Sequence, residues 1–298
     1  MLQFLPGPLR GTLGVLLLVL NTLFWGIPVY ITAVFKLILP FRVTRQFFDY
    51  ILNWLSYTWM YCNNLFIEIL KEVQYQVEGL DQLQKDEWYL VISNHQTWVD
   101  IIVLQKIFHG HIPFLKYFLK RELIWVPILG LAWWALDYPF MKRYTREEIR
   151  KNPHLQGKDI EATRKACEKF SHKPASIMNF VEGTRFTIEK HEKQQSPYHH
   201  LLRPRSGGIA FVLSAMGDMM RKVIDVTIVY PDGAENTWEF LCSKKTRIVV
   251  LIDVLDIPEY LRGKNPDDTD YRESFNQWLN SIWGEKDNKI EKRVRSEE

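Results

Sequence analysis

The stretch Trp88 to Asp100, WYLVISNHQTWVD, decides the fold. Its first part, Trp88 to Ser93, is apolar almost throughout, rich in aromatic and β-branched side chains, and too short for a core helix. It therefore predicts a strand buried on both faces. Thr97 to Phe108 follows as a helix, so a buried strand runs straight into a helix, the opening half of a βαβ unit. At the junction stand Asn94, His95 and, five residues beyond the histidine, Asp100.

The alternation continues towards the C-terminus. An amphipathic helix over Lys158 to Phe170, with Ile160, Thr163, Cys167 and Phe170 on one side, leads into a second buried strand, Ala175 to Val181. A helix over Gly207 to Met216 precedes the strand Val223 to Tyr230. The strand Arg247 to Leu255 and a closing helix over Tyr271 to Ile290 complete the series, and the helix frays into EKRVRSEE. The pattern predicts an α/β domain with a mixed, largely parallel sheet flanked by helices, in which ligands meet the strand C-termini. Arg185 to Gly207 lacks apolar periodicity and reads as a long basic loop.

Towards the N-terminus the sequence changes character. Gly14 to Phe35, GVLLLVLNTLFWGIPVYITAVF, carries no charge. As a helix it would be roughly 33 Å long at ~1.5 Å per residue, enough to cross a bilayer core. Only Arg10 precedes it and no small-x-small cleavage site follows, which favours a retained segment over a signal peptide. Gly26-Ile27-Pro28 allows a kink into a re-entrant hairpin, so spanning and re-entrant forms both stay open. In the spanning form Lys36, Arg42 and Arg45 outweigh Arg10 and leave the rest of the chain in the cytoplasm. Residues 47–70, rich in Trp and Tyr, read as an interfacial helix, the alternative being a core helix. The chain thus divides into membrane-anchoring helices over 1–72 and an α/β domain over 73–298.

Composition sets outer bounds. The chain has 298 residues, 38 Lys+Arg against 35 Asp+Glu and a formal charge of +3, too mild for an obligate nucleic-acid binder. Cys62, Cys167 and Cys242 are far apart and form no C-x-x-C pair, which fits a reduced, cytosol-facing catalytic part. His109, His111, His199 and His200 lack metal-ligand spacing, so no metal is expected.

Two motifs carry chemistry. A histidine at a strand end with an aspartate in the next helical turn lets the carboxylate hold one ring nitrogen as donor and leave the other as a base. Alone, the pair is more often a closed turn. Val181-Glu182-Gly183-Thr184-Arg185 also follows a buried strand. Its glycine allows close backbone approach, and its arginine can fork onto a phosphate, with Glu182 available to hold that guanidinium. Alone, it is more often a surface turn. Both patterns together arise by chance in on the order of one in ten thousand chains of this length.

Asn94, His95 and Asp100 with Glu182, Gly183, Thr184 and Arg185 resemble the first and third motif blocks of the glycerolipid acyltransferases, specifically the 1-acylglycerol-3-phosphate acyltransferases of the bacterial inner-membrane branch. The similarity runs from about Trp88 to Pro231. LKRELIWVPILG, 119–130, resembles the family's lysine-bearing stretch and LDYPFMKR, 136–143, its second block, while Pro231 fits the fourth. Val181 stands where the family usually has proline, and Asp137-Tyr138-Pro139-Phe140-Met141 where it commonly has Gly-x-x-Phe-Ile.

The resemblance implies acyl transfer from acyl-CoA or acyl carrier protein to the sn-2 hydroxyl of lysophosphatidic acid, with no further cofactor. His95 would be the general base and Asp100 its orienting partner. Arg185 and Arg143 would bind the acceptor phosphate, with Glu182 as positioner and Gly183 and Thr184 completing the substrate-binding turn. Lys120 would face the oxyanion or CoA phosphates, and Asn94 would shape the turn. The implied partners are the bilayer, a lysophospholipid and the acyl donor, without nucleic acid, at the bacterial inner membrane with the catalytic domain facing the cytoplasm. Transfer to another lysophospholipid, a membrane thioesterase or lipase, and a non-enzymatic scaffold are the competing readings.

Overall fold

The computed structural model describes residues 2–39, 41–138, 140–141, 150–152, 167, 174–266 and 268–297. Two long helices come first, α1 (Gly7–Ile38) and α2 (Arg42–Leu70). They run antiparallel. The Leu2 amide donates to Ile69 O at 2.8 Å, Asn21 Nδ2 donates to Asn63 Oδ1 at 2.8 Å, and Lys36 pairs with Asp49 at 2.7 Å. α1 passes unbroken through Gly26-Ile27-Pro28, so the chain does not reverse at that tripeptide, and α2 runs back from Arg42.

Both ends of α1 are fastened to the rest of the chain. At its start Arg10, 1% exposed, donates to Gln3 O, Leu5 O and Cys242 O. At its end Lys36 Nζ donates to Ala135 O and to Asp137 Oδ2, each at 2.8 Å. Between these ties one face is uncovered: Leu16, Leu20, Phe24, Ile27, Ile31 and Phe35 are exposed, with Tyr50 and Trp54 of α2.

Eight strands follow among the described residues. They are β1 (Glu72–Glu78), β2 (Tyr89–Ser93), β3 (Leu115–Tyr117), β4 (Leu119–Lys120), β5 (Phe140–Met141), β6 (Ser176–Phe180), β7 (Lys222–Val229) and β8 (Lys245–Asp256). Six form one sheet in the order β1-β8-β7-β2-β6-β3, parallel at every pairing except the antiparallel β7/β8, and β4 pairs with β5 separately. The fold is the mixed, largely parallel sheet flanked by helices that the alternation predicts. β2 lies at its centre with no exposed residue, sending Leu90 and Ile92 into one core and Tyr89 and Val91 into the other. The α-helices of this part with both ends among the described residues are α3 (Val99–Phe108), α4 (Leu129–Ala135), α5 (Ile188–Gln194), α6 (Gly207–Met216), α7 (Thr237–Cys242) and α8 (Thr269–Glu297).

Three expectations change. Edge strand β1 was not anticipated, because EVQYQVE alternates exposed and half-buried residues and contains no continuous apolar run. The expected loop from Arg185 to Gly207 contains α5, capped where the Thr187 side chain accepts the Lys190 amide at 3.3 Å. α8 does not fray at Ile290. Its charged last turns are held by ion pairs, Glu291 with His200 at 2.6 Å, Glu291 with Arg295 at 2.6 Å, and Arg293 with Glu78. The helix expected over 158–170 lies outside the described residues apart from Cys167, which is buried.

α8 is tied to the sheet by a buried ion pair. Lys286, with no exposed surface, lies 2.7 Å from Asp225 of β7 and donates to Thr227 Oγ1 at 3.2 Å. Removing one partner leaves a desolvated charge. K286A should therefore lower stability by about 3–5 kcal/mol in chemical denaturation of detergent-solubilised protein, with K286M/D225L regaining most of the loss.

Candidate active site

Parallel pairing brings the C-terminal ends of β2, β6 and β7 to one edge, with Ser93 opposite Phe180 and Val226. Whatever follows these strands is therefore clustered by backbone geometry. Asn94 follows β2, and its side-chain amide works like an added strand residue: Nδ2 donates to Ile228 O at 2.8 Å and Oδ1 accepts the Ile228 amide at 2.9 Å. This double bond to β7 fixes where His95 leaves the sheet.

His95 Nδ1 lies 2.8 Å from Asp100 Oδ2. The same oxygen accepts the amides of Gln96 at 2.7 Å and Thr97 at 3.0 Å, while Oδ1 accepts the Tyr230 hydroxyl at 2.6 Å. A carboxylate can only accept, so Nδ1 is the protonated ring nitrogen and Nε2 carries the free lone pair. Phe180 stacks on the imidazole with centroids 3.9 Å apart and planes 15° from parallel, which fixes the ring's tilt. Tyr230 was missed by sequence reasoning. It reads there as the last residue of a strand, and only the β2/β7 pairing brings it to Asp100.

The second motif lies beside the first. The Phe186 amide donates to His95 O at 2.7 Å, and Gly183 turns the chain with φ of +70°. Arg185 is exposed and lays its guanidinium over the Trp98 ring at 5.1 Å, a cation–π contact that holds it on the residue three positions after His95. Thr184 Oγ1 accepts from Lys190 Nζ at 2.9 Å. Glu182 does not hold Arg185. It is fully buried, and its Oε1 accepts the Leu202 amide at 3.3 Å, so it fastens residues 201–205 to the turn. Lys120 is exposed at the end of β4, next to Leu119, which faces the cavity described below. Arg143 lies outside the described residues.

Between the α1/α2 hairpin and the sheet is a cavity of about 540 Å³. That is within the range of about 300–1,000 Å³ usual for small-molecule sites. Its walls are mostly apolar, with Trp25 and Val29 from α1, Met60 and Ile67 from α2, Ile101 and Ile102 from α3, and Phe180; His95 lies in the wall. The imidazole therefore borders an apolar chamber, and Trp98, whose ring centroid is 6.4 Å from that of His95, carries the guanidinium of Arg185 on its own ring.

Burial pushes the Glu182 carboxyl well above the ordinary range, to about 8, against the opposing pull of the Leu202 and His95 amides and the charge of Lys286. Between its ordinary value near 4.5 and about 8 the folded state binds the proton more tightly than the unfolded state. This contribution to stability is complete at low pH and is lost as pH rises through that window. E182Q should flatten the loss, seen as a smaller fall in melting temperature between pH 5 and pH 9 than in the wild type.

Residues 74–231 match the family model described as Acyltransferase. A 2-acyl-1-lysophosphatidylinositol acyltransferase of Saccharomyces cerevisiae is 25% identical over 250 residues, covering 68% of this chain and 60% of the relative. A 1-acyl-sn-glycerol-3-phosphate acyltransferase delta of Mus musculus is 27% identical over 213 residues, covering 66% and 51%. The chain thus spans roughly half to three-fifths of the length of these relatives. The crystal structure of the 1-acyl-sn-glycerophosphate acyltransferase PlsC from Thermotoga maritima superposes with a TM-score of 0.50 at 18% identity, covering 93% of this chain and 97% of that one, a likeness of fold. With a match that takes in both motifs and the strands that carry them, the chain belongs to the Acyltransferase family.

Proposed function

We propose that the protein transfers a fatty acyl group from a thioester, acyl-CoA or acyl carrier protein, to the sn-2 hydroxyl of lysophosphatidic acid, forming phosphatidic acid. The observation that carries this reading is a carboxylate-oriented histidine in the wall of an apolar cavity, beside an exposed arginine. His95 Nε2 takes the acceptor's hydroxyl proton as its oxygen attacks the thioester carbonyl. Collapse of the tetrahedral intermediate expels the thiolate, which recovers the proton from His95. Asp100 steadies the imidazolium between these steps.

Direct transfer is favoured over an acyl-enzyme by the nearby hydroxyls. Ser93 Oγ donates to Asn94 O at 3.0 Å and Thr97 Oγ1 to Glu235 O at 2.6 Å, so neither is aimed at the imidazole. The cavity suits an alkyl chain, and Arg185 suits the acceptor's phosphate. Both relatives named above are acyltransferases of anionic lysolipids by name, one for a glycerol phosphate and one for an inositol lipid.

The protein acts at a membrane, and the reading extends to the bacterial inner membrane with the catalytic domain facing the cytoplasm. α1 is long and apolar enough to cross a bilayer by length and composition. Because Arg10 and Lys36 tie its two ends to the same catalytic domain, however, the hairpin lies along one leaflet with its uncovered apolar face in lipid. With the native cysteines replaced by serine, Q3C and R45C should label from the same side of sealed vesicles, whereas labelling from opposite sides would mean that α1 spans.

Purified protein given lysophosphatidic acid and acyl-CoA should release thiol and form phosphatidic acid in equal amounts, with little thiol when the acceptor is omitted. Thiol release with free fatty acid and no acceptor dependence would make it a thioesterase. H95A should lower kcat about a hundred- to ten-thousandfold, the usual worth of a general base. Y230F leaves Asp100 Oδ1 short of a donor and should lower kcat about tenfold with KM little changed, a fraction of what a hydrogen bond to a charged group contributes.

A further inference from the structure

A second guanidinium lies against the motif turn. A Cβ placed on Gly183 would meet Arg205 Cδ at 3.1 Å, with Nε and Nη1 at 3.4 Å, so the Arg205 side chain covers the bare face of that glycine. The position is built into the fold. The Arg205 amide donates to Val181 O at 2.7 Å, and Glu182 accepts from Leu202 three residues earlier, so the motif's own backbone and carboxyl hold the segment that carries Arg205. The Phe186 amide on His95 O ties this same turn to the base.

Arg205 is exposed and, among the described residues, its guanidinium has no hydrogen-bond or ion-pair partner. Arg185 is in the same condition apart from its stacking on Trp98. Other cations nearby are committed: Arg203 donates to Gln194 O and Gln195 O, and Lys190 to Thr184 Oγ1 and Arg185 O. One such guanidinium lies against the glycine of positive φ and the other, two residues along the same turn, lies on Trp98; forked donors of this kind with an open approach to backbone suit the several oxygens of a phosphomonoester.

We propose that Arg205 is a second phosphate-binding residue of this site, closing with Arg185 on a phosphomonoester. This rests on the acyl-transfer reading, in which that group comes either from the lysolipid headgroup or from the 3′-phosphate of an acyl-CoA donor. The corrected role of Glu182 follows, since its buried carboxyl positions the loop of the second arginine.

Steady-state kinetics of R205A and R205K would vary lysophosphatidic acid at fixed acyl-CoA and the reverse, with monoacylglycerol as a phosphate-free acceptor. R205A should raise one KM roughly ten- to hundredfold, the effect expected for a lost charge-assisted hydrogen bond, with R205K recovering part of it. A rise for lysophosphatidic acid, with transfer to monoacylglycerol unaltered, assigns the headgroup, and a rise for acyl-CoA alone assigns the donor phosphate. Neither KM moving in folded protein would overturn the proposal, as would a loss confined to kcat. Failure of the wild type to acylate any acceptor would sink the reading of the reaction instead. Equilibrium binding of lysophosphatidic acid and of CoA to H95A and H95A/R205A would then decide on Arg205 alone, with equal affinities for both probes counting against it.

Discussion

Asp100 is the group on which the site depends. Its side chain has no exposure, and a buried carboxylate is tolerable only where donors replace the water it has lost. The donors come from three places: the amides of Gln96 and Thr97 in the turn, the His95 ring, and the Tyr230 hydroxyl at the end of a neighbouring strand. One anion thereby sets the shape of the turn, the tautomer of the base and the distance between β2 and β7. The Asn94 amide reinforces the same junction by its paired bonds to Ile228. In the proposed reaction a histidine held this way needs no reorganisation before it accepts a proton.

The N-terminal hairpin would, on the proposed reading, do more than attach the enzyme to lipid. It supplies one wall of the cavity, while the opposite face of the same helices is uncovered and apolar. Moving an alkyl chain through water costs about 0.8 kcal/mol per CH₂, so under the proposed reaction a chamber walled by these helices would let the chain pass from bilayer to His95 without that exposure. Arg10 and Lys36 keep this wall in register with the base. Each is a cation placed on a backbone carbonyl at one end of α1, and Lys36 also meets the carboxylates of Asp49 and Asp137.

Charge is distributed according to task. Lys286 and Asp225 are buried together beneath α8 and hold the fold, and Arg247 with Asp232 is a surface pair. By contrast, among the described residues the guanidiniums of Arg205, against Gly183, and of Arg185, on Trp98, have no hydrogen-bond or ion-pair partner, and the one carboxyl of the motif is turned inward and shifted towards its neutral form by burial. An anionic ligand approaching this turn meets donors and no exposed carboxylate of the motif.

The sequence alone determined the local elements near the site. The short apolar run Tyr89 to Ile92, and Val223 to Val229 with its β-branched residues broken only by Asp225 and Thr227, read as strands buried on both faces, and α6 could be bounded from its apolar run. It also determined the partnership of His95 and Asp100, because five residues across a strand-to-helix junction is a local distance. It did not reveal β1, whose alternating polar residues carry little apolar signal, or the persistence of α8, whose last turns rest on partners from distant segments. Only the tertiary structure decided that Tyr230 meets Asp100, that Glu182 turns away from Arg185 and towards Leu202, that Arg205 covers Gly183, and that both ends of α1 return to one domain. Each of these joins residues far apart in the chain, and their distances are set by strand pairing and packing, which no spacing along the sequence records.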